Sequence, residues 1–449
     1  MIEDWRKAGR EVAVVGLGKS GQAATRLLRA RGVAVYGSDA GSSEAMDRIA
    51  LELSDLGAGI DTGMHDLERI GRSVAMVLSP GVPPEAPPVR AARDAGIPVR
   101  AEIDLGLEAL EGVPYVAITG TNGKSTVTAL VGHLLQAGGR RAEAVGNLGT
   151  PLSAIALEPE RPEWLAVEFS SFQLHDCPRV DPGVGILTNL SPDHLDRYPA
   201  LEAYYADKQL LFRNAHAGSV WVINADDPES ERLVTGVAGR QRRFSIARQA
   251  EGWFDRGDSR LMLGDRPLLP RNELNLLGDH NVANALAAAL AVAETGVARD
   301  KIAAGLRTFR ALKHRLEPVR EVGGVLWIND SKATNVSSTE VAVAALDRPF
   351  VLLLGGRHKG EPYTRLIPLL QPHCRAVVAY GEARPTVIHD LGSAIRVEEA
   401  GAFEHVLEAA DRLARPGDAV LLSPACSSYD MFRNYEERGA RFREWVEAR

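Results

Sequence analysis

Gly120-Thr121-Asn122-Gly123-Lys124-Ser125-Thr126 is a stretch whose residue types and spacing suit a bound phosphate. Glycines let backbone N–H groups approach an anion closely, Lys124 adds a cation, and the Ser125 or Thr126 hydroxyl can bind Mg2+. The usual phosphate-loop spacing asks for a further glycine at position 118, where this chain has Ile118. Such a loop must be held between a strand and a helix. Val116-Ala117-Ile118 is an apolar run suited to a buried parallel strand. Val127, Leu130, Val131, Leu134 and Leu135 recur at helical spacing, and Gly138 ends them. That order aims the positive end of a helix dipole at the loop.

A second glycine pattern opens the chain. Residues 12–15 read as a strand, Gly16-x-Gly18-x-x-Gly21 as a turn, residues 22–30 as a helix closed by Gly32, and residues 33–36 as a strand leading to Asp39. This is a Rossmann-type fingerprint with its acidic residue. Taken alone it fits a dinucleotide-binding oxidoreductase, a plain strand–helix turn, or a site for another nucleotide diphosphate with Asp39 at a base or ribose. Residues 74–78 continue as a strand, followed by the rigid turn Ser79-Pro80-Gly81-Val82-Pro83-Pro84. Residues 89–95 are expected as a helix and 97–99 as a short strand.

Further candidates follow the phosphate loop. Glu168 stands at the carboxyl end of an apolar strand, residues 164–169, where a carboxylate is costly unless it is paired, metal-bound or turned to water. After the strand 184–187, Ser191 and Pro192 read as N-cap and N1 of a helix. Asp193 then reads as first-turn charge and His194 as a half-exposed histidine. Lys208 lies on a helix with Tyr204 and Tyr205 and, by its type alone, reads as a solvated charge. Residues 240–275 suggest small hairpins with turns at Gly252, Gly257 and Gly264. Asn281 and Asn284 share one face of an alanine-rich helix running from Asp279 to about residue 293.

Near the carboxyl end, strands at 325–328, 350–354, 376–380 and 419–422 each carry polar residues just after their last residue. Open α/β sheets bind ligands at such strand ends. The fold expected is α/β with three domains: a Rossmann-like one at 1–105, a phosphate-loop ATPase-like one at 106–312 and a second Rossmann-like one at 313–449. The 449 residues suit about three domains. The net charge of −7 without a long basic run argues against nucleic-acid binding, and no apolar segment reaches the roughly 18 residues of a membrane span. Cys177, Cys374 and Cys426 show no metal spacing and fit reduced thiols in a cytoplasmic enzyme.

The loop at 120–126, Glu168, Asp193-His194-Leu195-Asp196, Lys208, Asn281-x-x-Asn284 and His314-Arg315 occur in the order found in the Mur ligases and folylpolyglutamate synthetases, and the whole chain resembles that family. Residues 329–335, 354–360 and 422–432 resemble the member that adds D-glutamate. The Asp-Asn-Pro-Arg motif of the diaminopimelate-adding relative is absent. The resemblance implies an ATP-dependent amide ligase of peptidoglycan precursor synthesis: ATP phosphorylates the carboxylate of UDP-N-acetylmuramoyl-L-alanine, and the amine of D-glutamate displaces the phosphate. It implies Lys124, Glu168, His194 and Lys208 as catalytic residues. Gly120, Thr121, Asn122, Gly123, Ser125, Thr126, Asn281, Arg315 and Asp330 would serve ATP. Gly18, Lys19, Ser20, Gly21, Asp39 and Asn147 would hold the UDP substrate. Lys332, Thr334, Lys359, Ser428 and Tyr429 would hold D-glutamate. Two Mg2+ sites would use Ser125 and Glu168, and His194 and a carbamylated Lys208. A monomer is expected. The rival readings are an NAD-dependent dehydrogenase, which leaves the phosphate loop and third domain unused, and a non-catalytic nucleotide-binding module.

Overall fold

Short Val, Leu, Ile and Ala runs bounded by glycine turns become strands covered on both faces, the pattern expected of parallel sheets. The structure, a computed structural model, describes residues 1–193 and 197–449. By internal contacts it divides into two units, Met1–Glu273 with Ala283–Arg307, and Leu274–Val282 with Thr308–Arg449.

The first unit contains two sheets. One has β1 (Val12–Val15), β2 (Val35–Asp39), β3 (Gly59–Thr62), β4 (Ala75–Leu78) and β5 (Val99–Ala101), in the order β3-β2-β1-β4-β5. All its pairings are parallel. β1 is flanked by β2 and β4, so the chain reverses its direction of winding there, and the loops after β1 and β4 meet at a ligand-binding switch point. The helix Lys19–Ala30 covers β1 through Ala24, Leu27 and Leu28. Burial of each leucine contributes about 2 kcal/mol.

The other sheet has β6 (Tyr115–Thr119), β7 (Ala142–Gly146), β8 (Trp164–Glu168), β9 (Val184–Leu187), β10 (Val220–Asn224), β11 (Arg240–Ser245), β12 (Gly252–Asp255), β13 (Arg260–Leu263) and β14 (Arg266–Pro270). Its order is β14-β13-β12-β11-β10-β9-β6-β8-β7. β6 lies between β8 and β9, so the phosphate loop, Glu168 and the segment after β9 leave the sheet side by side. β12, β13 and β14 pair antiparallel as the expected hairpins.

In the second unit β15 (Glu317–Val322), β16 (Val325–Asn329), β17 (Phe350–Gly355), β18 (Cys374–Tyr380), β19 (Val397–Glu399) and β20 (Ala419–Leu422) run in the order β15-β16-β20-β17-β18-β19. β15 is antiparallel to β16 and the remaining pairings are parallel.

Several boundaries differ from the sequence reading. The first glycine-turn helix begins at Lys19 rather than 22, because Gly18 is extended and caps it, leaving Gly21 inside the first turn. Gly252 opens β12 instead of making a turn. Ser191 through Asp193 are irregular, not the start of a helix. Among the described residues no helix is long and apolar enough to cross a membrane.

Candidate functional site

β6 delivers the chain into the loop, where Gly120 has φ +143° and Gly123 φ +81°. Both conformations favour glycine, and space forbids anything larger. A Cβ on Gly120 would lie 2.0 Å from Thr188 Oγ1, and one on Gly123 would lie 2.4 Å from Asn284 Oδ1. The segment after β9 holds the loop by hydrogen bonds. Thr188 Oγ1 donates to Asn122 O at 2.7 Å, Asn122 N to Asn189 Oδ1 at 2.9 Å, and Thr121 N to Asn189 O at 2.8 Å. Gly123 caps the helix Lys124–Ala137 without a side chain to compete for its first-turn N–H groups. Lys124 Nζ donates to Gly120 O at 3.0 Å and Thr121 O at 2.7 Å, folding the cation back over the loop. Ser125 is buried in the helix's first turn.

Glu168, last residue of β8, is 2% exposed. Its Oε1 accepts from Asn147 Nδ2 at 2.9 Å, while Oε2 is buried and has no hydrogen-bond partner among the described residues. This excludes the water-facing alternative for the carboxylate. A buried carboxylate oxygen without a donor suits a cation, and Mg2+ takes one or two carboxylates while keeping phosphate and water oxygens. Glu168 with the Ser125 hydroxyl fits such a hard, oxygen-only ligand set. Among the described residues no cluster of three or more His, Cys, Asp or Glu could hold a metal by itself.

Lys208 corrects the reading of a solvated charge: it is 1% exposed. On the helix Leu201–Gln209, Tyr204 and Lys208 are four residues apart and face inward together. Nζ donates to Thr119 Oγ1 at 3.2 Å and lies 5.3 Å from the Tyr204 ring centroid. Burial holds its pKa well below the usual lysine range, and the neighbouring Lys124 charge adds to this against Glu168, Asp193 and Asp207. His194, with Leu195 and Asp196, lies outside the described residues.

The glycine turn after β1 lines a cavity of about 750 Å³. Gly18, Lys19, Ser20, Asp39 and Asn147 share its wall. Gly21 contributes differently: a Cβ there would fall 1.8 Å from Gly16 O, so the glycine allows the helix to pack against the turn. Asp39 accepts from Leu17 N at 2.7 Å and Gly41 N at 2.8 Å, which locks the turn to the end of β2. Ser79 Oγ donates to Gly16 O at 2.7 Å, tying in the loop after β4. Asn147 therefore joins two features: it borders the cavity and holds Glu168.

In the second unit Asp330 follows β16. Its Oδ1 accepts from Leu316 N at 3.1 Å and its Oδ2 from Ser423 Oγ at 2.8 Å. Burial raises its pKa to about 7, with Arg315 acting in opposition. His314, Leu316 and Ala425 all have positive φ, so backbone strain gathers around this residue. Asn281, also in this unit, donates Nδ2 to Leu277 O at 2.8 Å. Lys332 Nζ sits 3.9 Å from the Tyr435 ring centroid, and Thr334 is half-buried nearby in sequence. The loops bearing Lys359 and Ser428 are joined where Arg357 N donates to Ser427 O at 2.9 Å. Lys359 is exposed, Ser428 is buried, and Tyr429 is 65% exposed.

Sequence reasoning singled out Asn284 with Asn281 but assigned no role to Thr188, Asn189 or Tyr204. The inward spacing of Tyr204 and Lys208 was a usable signal for the last; the others act through folded contacts.

Family models match three stretches: "Mur ligase MurD-like, N-terminal domain" at residues 10–101, "Mur ligase middle domain" at 118–292 and "Mur ligase, glutamate ligase domain" at 314–426. The UDP-N-acetylmuramoylalanine--D-glutamate ligase of Myxococcus xanthus is 41% identical over 451 residues, covering 98% of this chain and 99% of that protein. The enzyme of the same name from Salinibacter ruber is 42% identical over 449 residues, covering 97% of each. Among solved structures, the UDP-N-acetylmuramate-alanine ligase of Thermotoga maritima superposes with a TM-score of 0.63 at 18% identity, over 98% of this chain and 99% of that one. The folylpolyglutamate synthase of Mycobacterium tuberculosis gives 0.57 at 18% identity, over 76% of this chain and 92% of that one. These two likenesses concern the fold. With relatives of such identity along nearly its whole length, the chain belongs to the Mur ligase family.

Proposed function

We propose that this chain joins D-glutamate to UDP-N-acetylmuramoyl-L-alanine at the expense of ATP, in peptidoglycan precursor synthesis. The observation that carries the reading is Asn147. It borders a cavity of nucleotide-diphosphate size beside the glycine turn and holds the carboxylate next to the phosphate loop. Relatives that cover nearly the whole chain bear the corresponding name. The matched stretches support divisions near residues 105 and 312.

In this reading the substrate's UDP lies over Gly18, Lys19, Ser20 and Gly21, with Asp39 near the base and Asn147 on the phosphate side. Gly120 to Thr126 cradle the ATP phosphates, and Asn281, Arg315 and Asp330 serve the nucleotide. The substrate carboxylate attacks the γ-phosphorus and ADP leaves. Lys124, released from the loop carbonyls, follows the negative charge on the transferring oxygens. The D-glutamate amine then attacks the acyl carbon, phosphate departs and the amine loses a proton. Bound Mg2+ supplies positive charge to the phosphoryl oxygens. Ser125 and Glu168 hold one ion; His194 and a carbamylated Lys208 hold a second. Burial, which holds the Lys208 pKa well below the usual lysine range, suits carbamylation, because only the neutral amine adds to CO2, releasing one proton. Lys332, Thr334, Lys359, Ser428 and Tyr429 receive D-glutamate, whose two carboxylates need cations and hydroxyls. ATP and a UDP-linked substrate place the reaction in the cytoplasm, with the protein acting as a monomer.

The test is phosphate release from Mg·ATP with UDP-N-acetylmuramoyl-L-alanine, comparing D-glutamate, L-glutamate, L-lysine and diaminopimelate. Release with D-glutamate alone is expected. Release without any amino acid, or with lysine instead, would overturn the reading.

A further inference from the structure

Arg438 belongs to the helix Tyr435–Glu447 and is wholly buried. A buried guanidinium usually meets a carboxylate, but the acceptors here are of another kind. Nε donates to Ser331 Oγ at 2.9 Å and Nη2 to Ser331 O at 2.8 Å. Nη1 and Nη2 both donate to Cys426 O at 3.2 Å. A Cβ on Gly356 would come within 3.2 Å of Nη1. The group thus reaches the segments that follow β16, β20 and β17. The fourth strand end joins through Gly356 N, which donates to Tyr380 O at 3.3 Å. Ser331 directly precedes Lys332, and Cys426 stands two residues before Ser428.

Burying a cation against neutral dipoles is expensive, and a well-packed apolar side chain would serve stability at least as well. What an apolar residue cannot do is fix two backbone carbonyls and a hydroxyl in one plane, as the guanidinium fork does. We propose that Arg438 is the positioning residue of the acceptor site: it sets the spacing between the loop bearing Lys332 and the loop bearing Ser428, and so selects the amino acid by the separation of its carboxylates. This rests on the proposed D-glutamate reading of those loops. Arg438 acts through Ser331 and Cys426 and makes no contact with the substrate itself.

The experiment uses the full-length enzyme with Arg438→Lys, which keeps the charge and loses the fork, and Ser331→Ala, which removes one acceptor. Each of the three substrates is varied in turn. The KM for D-glutamate is expected to rise at least about tenfold in Arg438→Lys and less in Ser331→Ala, since small displacements of positioning groups have large effects. The KM values for ATP and the UDP substrate should stay close to wild type. An unchanged D-glutamate KM in a folded variant, or an equal rise in all three, overturns the positioning role. Should Arg438→Lys fail to fold, Ser331→Ala decides by the same criterion. Wild-type enzyme that releases no phosphate with D-glutamate would instead overturn the function proposed above.

Discussion

Asn147 donates its side-chain amide to Glu168 at 2.9 Å, and among the described residues that is the one hydrogen bond to a carboxylate otherwise sealed from water. Removing the donor in Asn147→Ala leaves a buried anion without it, a penalty of about 1–3 kcal/mol. Turnover should fall at least about tenfold. Asn147→Asp should be worse, because two carboxylates would face each other. Steady-state phosphate release on both variants checks the order; equal activities would remove the bond from the mechanism.

Lys124→Ala should abolish phosphoryl transfer and leave the fold intact. In the structure the side chain donates to the loop carbonyls of Gly120 and Thr121, bonds of modest worth to the fold, whereas a phosphate clamp is worth several kcal/mol, on the order of 3 to 4, in the transition state. Circular dichroism together with ATP turnover distinguishes these effects. A folded variant with near wild-type turnover would refute the phosphate-loop assignment.

Lys208→Ala should be inactive and partly rescued by short carboxylates, which replace an anionic oxygen in the space vacated. Lys208→Arg should stay inactive, both because it restores only a cation and because the site is fully enclosed. Full activity in Lys208→Arg would show that positive charge suffices.

Lys359→Ala should raise the KM for D-glutamate strongly and that for ATP little, by loss of a charge-assisted contact of about 1.5–3 kcal/mol. Ser428→Ala should act in the same direction more weakly. Lys359 is exposed, so neither the fold nor its melting temperature should respond. An unchanged D-glutamate KM in Lys359→Ala would place the residue outside the acceptor site.

Glu102 supplies a pH test of stability. It is buried, accepts from Ser153 N at 2.7 Å, and burial raises its pKa from 4.5 to about 7. A carboxyl whose folded pKa is raised contributes fully below its unfolded value and loses that contribution as pH climbs through the folded value. Stability should therefore decline between about pH 4.5 and 7 by an amount of at most about 3 kcal/mol from this group. Glu102→Gln keeps the acceptor and should melt higher than wild type at pH 8, with the advantage vanishing near pH 4. Denaturant unfolding at both pH values measures it, and parallel pH profiles for the two proteins would contradict the assignment.

What the sequence determined by itself was local chemistry with a period. The apolar run into Gly120, the glycines at φ values closed to other residues and the helical spacing from Val127 to Leu135 specify strand, loop and helix without reference to anything distant. The βα alternation and the polar residues after the last strands were legible for the same reason. Tertiary structure alone decided which of these segments meet. Strand order puts β8 and β9 on either side of β6, and this brings Glu168 beside the phosphate loop and lays Thr188 and Asn189 under it. Packing of the helix Leu201–Gln209 turns Lys208 inward and strips its water, reversing the expectation for a helical lysine. Asn147 with Glu168, and Arg438 with Ser331 and Cys426, pair residues 21, 107 and 12 positions apart. No local propensity encodes such pairings; they are set when loops from separate strands share one end of a sheet.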